Sequence, residues 1–274
     1  READRNYAVS FSLPSDAEGI HYIMVRQSCD TRKLEDGDID RGNQLFCGHE
    51  ALVVFENVFV PWERVFICRE HAFAGQLVEI FAGYHRQSFA CKVGVGDVRI
   101  GASQVAAEFN RADQASHIKD KLVEMNHLNE TLYCGCIACA SEGHQEPSGT
   151  FSVNTLLANI HKHNVTRFPY EISRLAQDIA GGLMVTLPRE KDFKSPEVGA
   201  WLEKYYRAHP DVPTEHRMRI LRLIENLTLG TAAVGYLTES MHGAGSPQAQ
   251  RIMISRKVNM ETKKKAAKKL CGIK

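Results

Sequence analysis

No stretch of this 274-residue sequence approaches the roughly 18 consecutive apolar residues of a membrane span. The opening READRNYAVS has charges where a signal peptide has its apolar core. Neither sign of charge dominates: 34 Lys and Arg against 33 Asp and Glu leave a net charge of +1, so no broad attraction to nucleic acid is expected. Cysteine is too sparse for a secreted disulfide scaffold, with eight scattered along the chain. These absences point to a cytoplasmic setting with neither nucleic acid nor membrane as partner. The one basic run, TKKKAAKKLCGIK, is spaced like a solvated helix end, where lysines suit the negative pole of the helix dipole. The abrupt start, with alternation almost at once, is what a chain beginning at a domain boundary is expected to show.

What is present suffices for one large domain or two smaller ones, at 43% hydrophobic residues. Residues 7 to 67 read as strands: YAVSFSLP alternates, GIHYIMVRQ is rich in β-formers, and ALVVFENVFVPWERVFI holds two short strands broken at Asn57 and at Pro61-Trp62. The intervening CDTRKLEDGDIDRGNQ is polar loop. From about residue 70 the period becomes helical. Pro169 marks a helix start or kink, Thr214 is a candidate N-cap, and the last helix is expected from about Ser246 with Pro247 at its first position. The reading is an α+β chain: a small antiparallel β domain over residues 1–70, then a bundle of about five long helices over 71–274.

Several constellations bear on chemistry. His85 and Cys91 in YHRQSFACKVGVGD are both good ligands for iron or zinc, yet two ligands do not make a site. KVGVGD lacks the third glycine of a dinucleotide fingerprint, and its glycines suit close approach of the backbone to a cofactor or a second helix. Cys134, Cys136 and Cys139 tempt as a cluster, but on a helix the first two point about 200° apart, and small cysteines also behave as core. Glu50 enters a strand beside His49, as either a solvated carboxylate or a buried acid with raised pKa. TESMHGAGSPQAQR places Glu239, His242 and two glycines at a turn between helices, where backbone N–H groups could receive an anion or a flavin. QDIAGGLMVTLP ends a helix on paired glycines.

Three of these segments in order, YHRQSFACKVGVGDVRIGA, NVTRFPYEISRLAQDIAGGLMVTLP and TESMHGAGSPQAQRIMI, closely resemble the 4-hydroxybutyryl-CoA dehydratase (vinylacetyl-CoA delta-isomerase) branch of the flavin-dependent 4-hydroxyphenylacetate 3-monooxygenase family. The resemblance implies an acyl-CoA dehydrogenase-like fold, of which this chain holds the middle and C-terminal domains without the N-terminal helical one. It also implies FAD, a [4Fe–4S] cluster and a homotetramer, acting in fermentation on 4-hydroxybutyryl-CoA or vinylacetyl-CoA. On that resemblance His85 and Cys91 are cluster ligands, with two more cysteines expected from the N-terminal domain or subunit. His85 doubles as a base, Glu50 and Glu239 are acid/base and positioning carboxylates, and Lys92 supplies positive charge. Gln87, Gly181, Gly182, His242, Gly243 and Gly245 are expected to touch the flavin or its pocket. Two departures stand out: Phe89 replaces a tyrosine, and five residues rather than six separate His85 from Cys91. They call for non-helical backbone between Ser88 and Val95, with KVGVG supplying the freedom. Two other readings stay open: a cluster-free flavoprotein hydroxylase or isomerase, and a non-catalytic subunit. By itself the chain is expected to be inactive.

Overall fold

The computed structural model describes residues 2–24, 38 and 51–274. Glu50, His49 and nearly all of the expected polar loop lie outside the described residues.

The N-terminal part is built from two antiparallel strand pairs. After a 3-10 turn at Glu2–Tyr7, β1 (Val9–Phe11) pairs with β4 (Val65–Cys68), Val9 facing Cys68. The second pair joins β2 (Ile20–Met24) to β3 (Ala51–Phe55), in register from Ile20 opposite Phe55 to Met24 opposite Ala51. β3 stops where the sequence implies: Asn57 takes a φ of 52°, and Pro61 opens the 3-10 turn Trp62–Arg64 ahead of β4.

Eight helices of eleven or more residues follow among the described residues, rather than five. They are α1 (His71–Ser88), α2 (Cys91–Phe109), α3 (Ser116–Ser141), α4 (Thr155–Val165), α5 (Phe168–Ala180), α8 (Thr214–Thr228), α9 (Pro247–Lys257) and α10 (Met260–Leu270). Between α5 and α8 lie two shorter helices, α6 (Glu190–Phe193) and α7 (Gly199–Tyr206). A small hairpin, β5 (His144–Gln145) with β6 (Phe151–Ser152), joins α3 to α4. Between α8 and α9 runs a segment that is α-helical at Thr231–Ala233, π-helical at Val234–Glu239 and α-helical again at Ser240–His242.

Local chemistry explains most boundaries. The Asn154 side chain caps α4 by accepting from the Leu157 N–H at 3.0 Å, and Pro169 sits in the first turn of α5. Gly181, at φ 77°, ends α5 in a conformation L-residues avoid. Ser246 and Pro247 open α9 as expected. Thr214 is not the cap of α8. Pro213 holds that place, while the buried Thr214 hydroxyl reaches the Glu203 carboxylate of α7 at 2.8 Å. Thr214 is itself the first residue of the helix, and its hydroxyl donates to Glu203 rather than accepting from the N–H groups of its own first turn. α10, carrying the basic run, buries no residue.

The core forms where α2, α3, α5 and α8 meet. Ala102, Ala106 and Ala107 let α2 lie close to Ile172, Leu175 and Ala176 of α5, with Met125, Leu221 and Ile224 closing the space. Each large apolar side chain removed from water there contributes about 1.5–3 kcal/mol. Gly96 serves the same packing, since a Cβ there would fall 2.0 Å from the Asn129 Oδ1 of α3. Of the two uses expected for the KVGVGD glycines, approach to a second helix is the one observed at Gly96.

Candidate functional site

Three elements converge beside the core. On α1, residues four apart share a face, so Phe81, His85 and Phe89 form an aromatic ladder, with ring centroids 5.3 Å apart at Phe81–His85 and 5.5 Å at His85–Phe89. Phe89 ends the ladder, buried, where α1 stops. Through the junction to α2 the backbone tightens: Ala90 N–H donates to Gln87, Lys92 to Phe89 and Val93 to Ala90, each three residues back. The expected break is therefore real, but it falls at Phe89–Ala90. KVGVG runs as regular helix inside α2, with Gly96 used for packing against Asn129 rather than for bending.

The junction directs Lys92 inward and leaves Cys91 exposed. The Lys92 ammonium stands 3.5 Å from the Glu239 carboxylate, 5.7 Å from the Phe89 ring centre and 5.6 Å from that of Tyr236. Glu239 and Tyr236 come from the π-helical turn, whose wider winding is a common feature of functional sites. From α4, Lys162 places its ammonium 4.2 Å above the Phe89 ring and donates to the Ser240 carbonyl and, at 3.3 Å, to that of Met241. Arg86 of α1 binds the Asn159 Oδ1 at 2.6 Å and the Ala244 carbonyl at 3.0 Å.

Three buried cations thus surround one carboxylate. Burial pushes the Lys162 pKa down to about 8, Lys92 and Arg86 reinforcing that and Glu239 opposing it. The Arg86 pKa is also lowered by burial. Such a setting favours a negative charge arriving from outside, since the buried positive charge exceeds what Glu239 neutralises.

The two glycines of the HGAGS turn hold this frame together. A Cβ on Gly243 would lie 2.5 Å from the Glu239 Oε1 and 2.8 Å from the Phe89 Cζ, and one on Gly245 would lie 3.1 Å from the Arg86 guanidinium. Ala244 and Gly245 both take positive φ, 57° and 96°. His242 is exposed at the end of the same segment. Gln87 turns to α3, where its amide reaches the Cys136 sulfur at 3.3 Å. Gly181 and Gly182 sit exposed at the end of α5, with open space where their side chains would be.

Among the described residues no group of three His, Cys, Asp or Glu side chains could hold a metal ion. His85 and Cys91 flank the junction as an imidazole and an exposed thiol, a donor pair whose chemistry fits iron but which is not a complete site. The α3 cysteines do not supply the rest: Cys139 is buried in the core, its pKa pushed up to about 11 by burial, while Cys134 is exposed on another face.

Residues 74–272 match the family profile of the 4-hydroxyphenylacetate 3-hydroxylase C terminal, and residues 1–67 that of its N terminal. The chain belongs to the 4-hydroxyphenylacetate 3-hydroxylase family. Within that family it is 61% identical over its whole length to a 4-hydroxybutyryl-CoA dehydratase/vinylacetyl-CoA-Delta-isomerase of Clostridium aminobutyricum, of which it covers 58%. An oxygen-tolerant archaeal 4-hydroxybutyryl-CoA dehydratase from N. maritimus superimposes with a TM-score of 0.96 at 57% identity, covering all of this chain and 55% of that one. The oxygenase component of 4-hydroxyphenylacetate 3-monooxygenase, solved with FAD and 4-hydroxyphenylacetate, shares the fold at a TM-score of 0.83 and 23% identity, over 97% of this chain and 56% of that one. The chain therefore spans little more than half the length of these relatives.

Sequence reasoning reached Lys92, Glu239 and Gly243 but missed Arg86, Asn159, Lys162 and Tyr236. One signal was available: Lys162 shares the buried face of α4 with Ala158, Asn159 and Val165, a register in which a lysine needs a reason.

Proposed function

We propose that this chain is the β-strand and C-terminal helical part of an acyl-CoA dehydrogenase-like flavoenzyme. The enzyme dehydrates 4-hydroxybutyryl-CoA to crotonyl-CoA and isomerises vinylacetyl-CoA to the same product. The carrying observation is 61% identity over the full chain to an enzyme of that name; the pairing of buried Lys92 with half-buried Glu239 beside Phe89 supports it. The N-terminal portion, contributed by the same protein or a second subunit, completes the site in a cytoplasmic homotetramer.

Both reactions start with loss of a C2 proton, leaving an enolate whose charge rests on the thioester oxygen. His85 accepts that proton, as the imidazole base that the aromatic ladder holds beside Phe89. Lys92, with Arg86 and Lys162 behind it, supplies the positive field that the enolate oxygen needs. Isomerisation then delivers a proton to C4, and Glu50 and Glu239 are the carboxylates that pass on the proton His85 has taken, Glu239 from its place opposite Lys92. Dehydration is harder, because nothing in the substrate acidifies its C3–H. A bound flavin supplies one-electron chemistry for that step, and a bound [4Fe–4S] cluster a Lewis acid for the C4 hydroxyl. His85 and Cys91 would hold the cluster from this chain, with two cysteines from the N-terminal portion. Gln87, Gly181, Gly182, His242 and the Gly243–Gly245 turn are the groups we assign to the flavin side.

The test is iron and flavin content per subunit of the complete protein, purified without oxygen, alongside turnover of both substrates. Cys91→Ser is expected to lose most of the iron and the dehydration while isomerisation falls less. A complete protein that holds flavin without iron and hydroxylates a phenol would overturn the proposal.

A further inference from the structure

Lys162 shares in the field described above, but its geometry points to a more specific role. It is 0% exposed, and a buried ammonium is costly unless its protons are taken up. They go to the carbonyls of Ser240 and Met241, at the end of a helical segment where such groups lack N–H partners. Its other neighbour is the Phe89 ring at 4.2 Å. The charged and titratable groups around it are Glu239 from the π-helical turn, Lys92 from α2, Arg86 from α1 and His161 beside it on α4. Glu239 directly precedes Ser240, and its carbonyl receives the Gly243 N–H at 2.6 Å. The stretch that Lys162 grips is the stretch that frames Glu239.

We propose that Lys162 is a positioning residue: by holding the Ser240 and Met241 carbonyls against Phe89, it sets where the Glu239 carboxylate stands opposite Lys92. A methionine would fill the same volume without the cost of a buried charge, but it would leave those carbonyls unpaired and the segment free to shift. The consequence for catalysis rests on the acyl-CoA reading; the geometric coupling does not.

The experiment compares Lys162→Met, Lys162→Gln, Glu239→Gln and the double variant Lys162→Met/Glu239→Gln in the complete protein. With 4-hydroxybutyryl-CoA, Lys162→Met is expected to lower kcat by about ten- to a hundredfold, the scale of a misplaced catalytic group. KM should stay within about twofold, because substrate contacts are retained. In the Glu239→Gln background the same change should add less than about twofold. Lys162→Gln keeps an N–H donor for the carbonyls and should recover much of the loss. Independently of activity, the thermal midpoints should couple, with Glu239→Gln shifting the midpoint about 2 °C less once Lys162 is gone. Wild-type kcat in Lys162→Met, or equal and additive losses in both backgrounds, would overturn the positioning role. Thermal coupling in a protein that turns over no acyl-CoA would sustain the positioning role and sink the functional reading. If Lys162→Met does not fold, Lys162→Leu, which likewise offers no donor to the Ser240 and Met241 carbonyls, carries the same comparison.

Discussion

His161 makes the folded protein sensitive to acid in a way that can be worked from its surroundings. The side chain is 1% exposed where α4 packs on α3, and neither ring nitrogen makes a well-formed hydrogen bond among the described residues, although the Leu132 backbone lies close enough to favour the protonated ring. The contact is close because residue 135 is glycine; a Cβ there would lie 3.1 Å from the His161 Nδ1. Burial pushes the imidazole pKa down to about 4, from its ordinary 6.5. The folded state therefore keeps this histidine neutral over a range in which the unfolded chain takes up a proton. Stability is full above pH 6.5, declines as pH falls toward 4, and levels off below that. The two pKa values give a loss of about 2 kcal/mol between pH 7 and pH 5, on the order of 3 kcal/mol once both states are protonated. Carboxylates weaken the fold over part of the same window: Glu171, for example, is held below its usual range by its hydrogen bond from Arg174. The informative quantity is thus the difference between wild type and His161→Leu, measured by urea unfolding with helical circular dichroism from about pH 7 to about pH 4.5. The leucine variant should lose about 2 kcal/mol less than wild type by pH 5. A difference that stays flat within about 0.5 kcal/mol across that range would refute the assignment of a buried neutral His161.

Gly243→Ala should displace either the Glu239 carboxylate or Phe89, since the added methyl carbon would lie within 2.8 Å of both. Turnover should fall at least about tenfold, read by steady-state kinetics, with secondary structure preserved by circular dichroism. Leu221, 0% exposed at the centre of the four-helix core, is a site where truncation to alanine should cost about 2–5 kcal/mol. A lowered urea midpoint with an unchanged slope would be the signature.

What was legible in the sequence is what local chemistry decides. Asn57 and Pro61 end strands by their own backbone preferences, Pro169 and Pro247 start helices, and Gly181 stops one. The junction at Phe89–Ala90 carries no such residue, since both are compatible with a helix. What holds Phe89 at that corner is the pair of ammonium groups from α2 and α4 and the close approach of Gly243, all supplied by packing rather than by local preference. The π-helical turn is invisible for the same reason: its winding brings Tyr236 and Glu239 to Lys92, and no local pattern announces it. Thr214 shows the opposite failure, a local capping signal at a residue that falls inside the helix and donates its hydroxyl to Glu203. Lys92 was reached only through the family resemblance, and Glu239, singled out at its turn, took its role from that resemblance, while Arg86 and Lys162 were readable as cations on buried helical faces.

The spacing of His85 and Cys91 gives the last prediction. Both helices flanking the junction are anchored away from it. Arg86 ties α1 to Asn159 and Ala244. Arg99, itself 1% exposed, ties α2 to the Leu227 carbonyl at 2.9 Å. A glycine inserted after Ala90 cannot push either helix far, so the junction has to bulge to accommodate it. The entropic cost of one more residue in a short connection is small, about 0.6 kcal/mol even for a doubling of loop length. The extra residue adds up to about 3.8 Å of chain just before Cys91. It also relaxes the run of bonds spanning three residues that now fixes where the sulfur points. In the complete protein purified without oxygen, the insertion combined with Phe89→Tyr should raise iron per subunit. Dehydration should rise relative to isomerisation, because only dehydration needs a Lewis acid on the C4 hydroxyl. The thermal midpoint serves as control and should move by only a few degrees. Iron content unchanged or lower, with that midpoint preserved, would show that the shorter spacing already lets Cys91 reach its place, and the reasoning from chain length would fall.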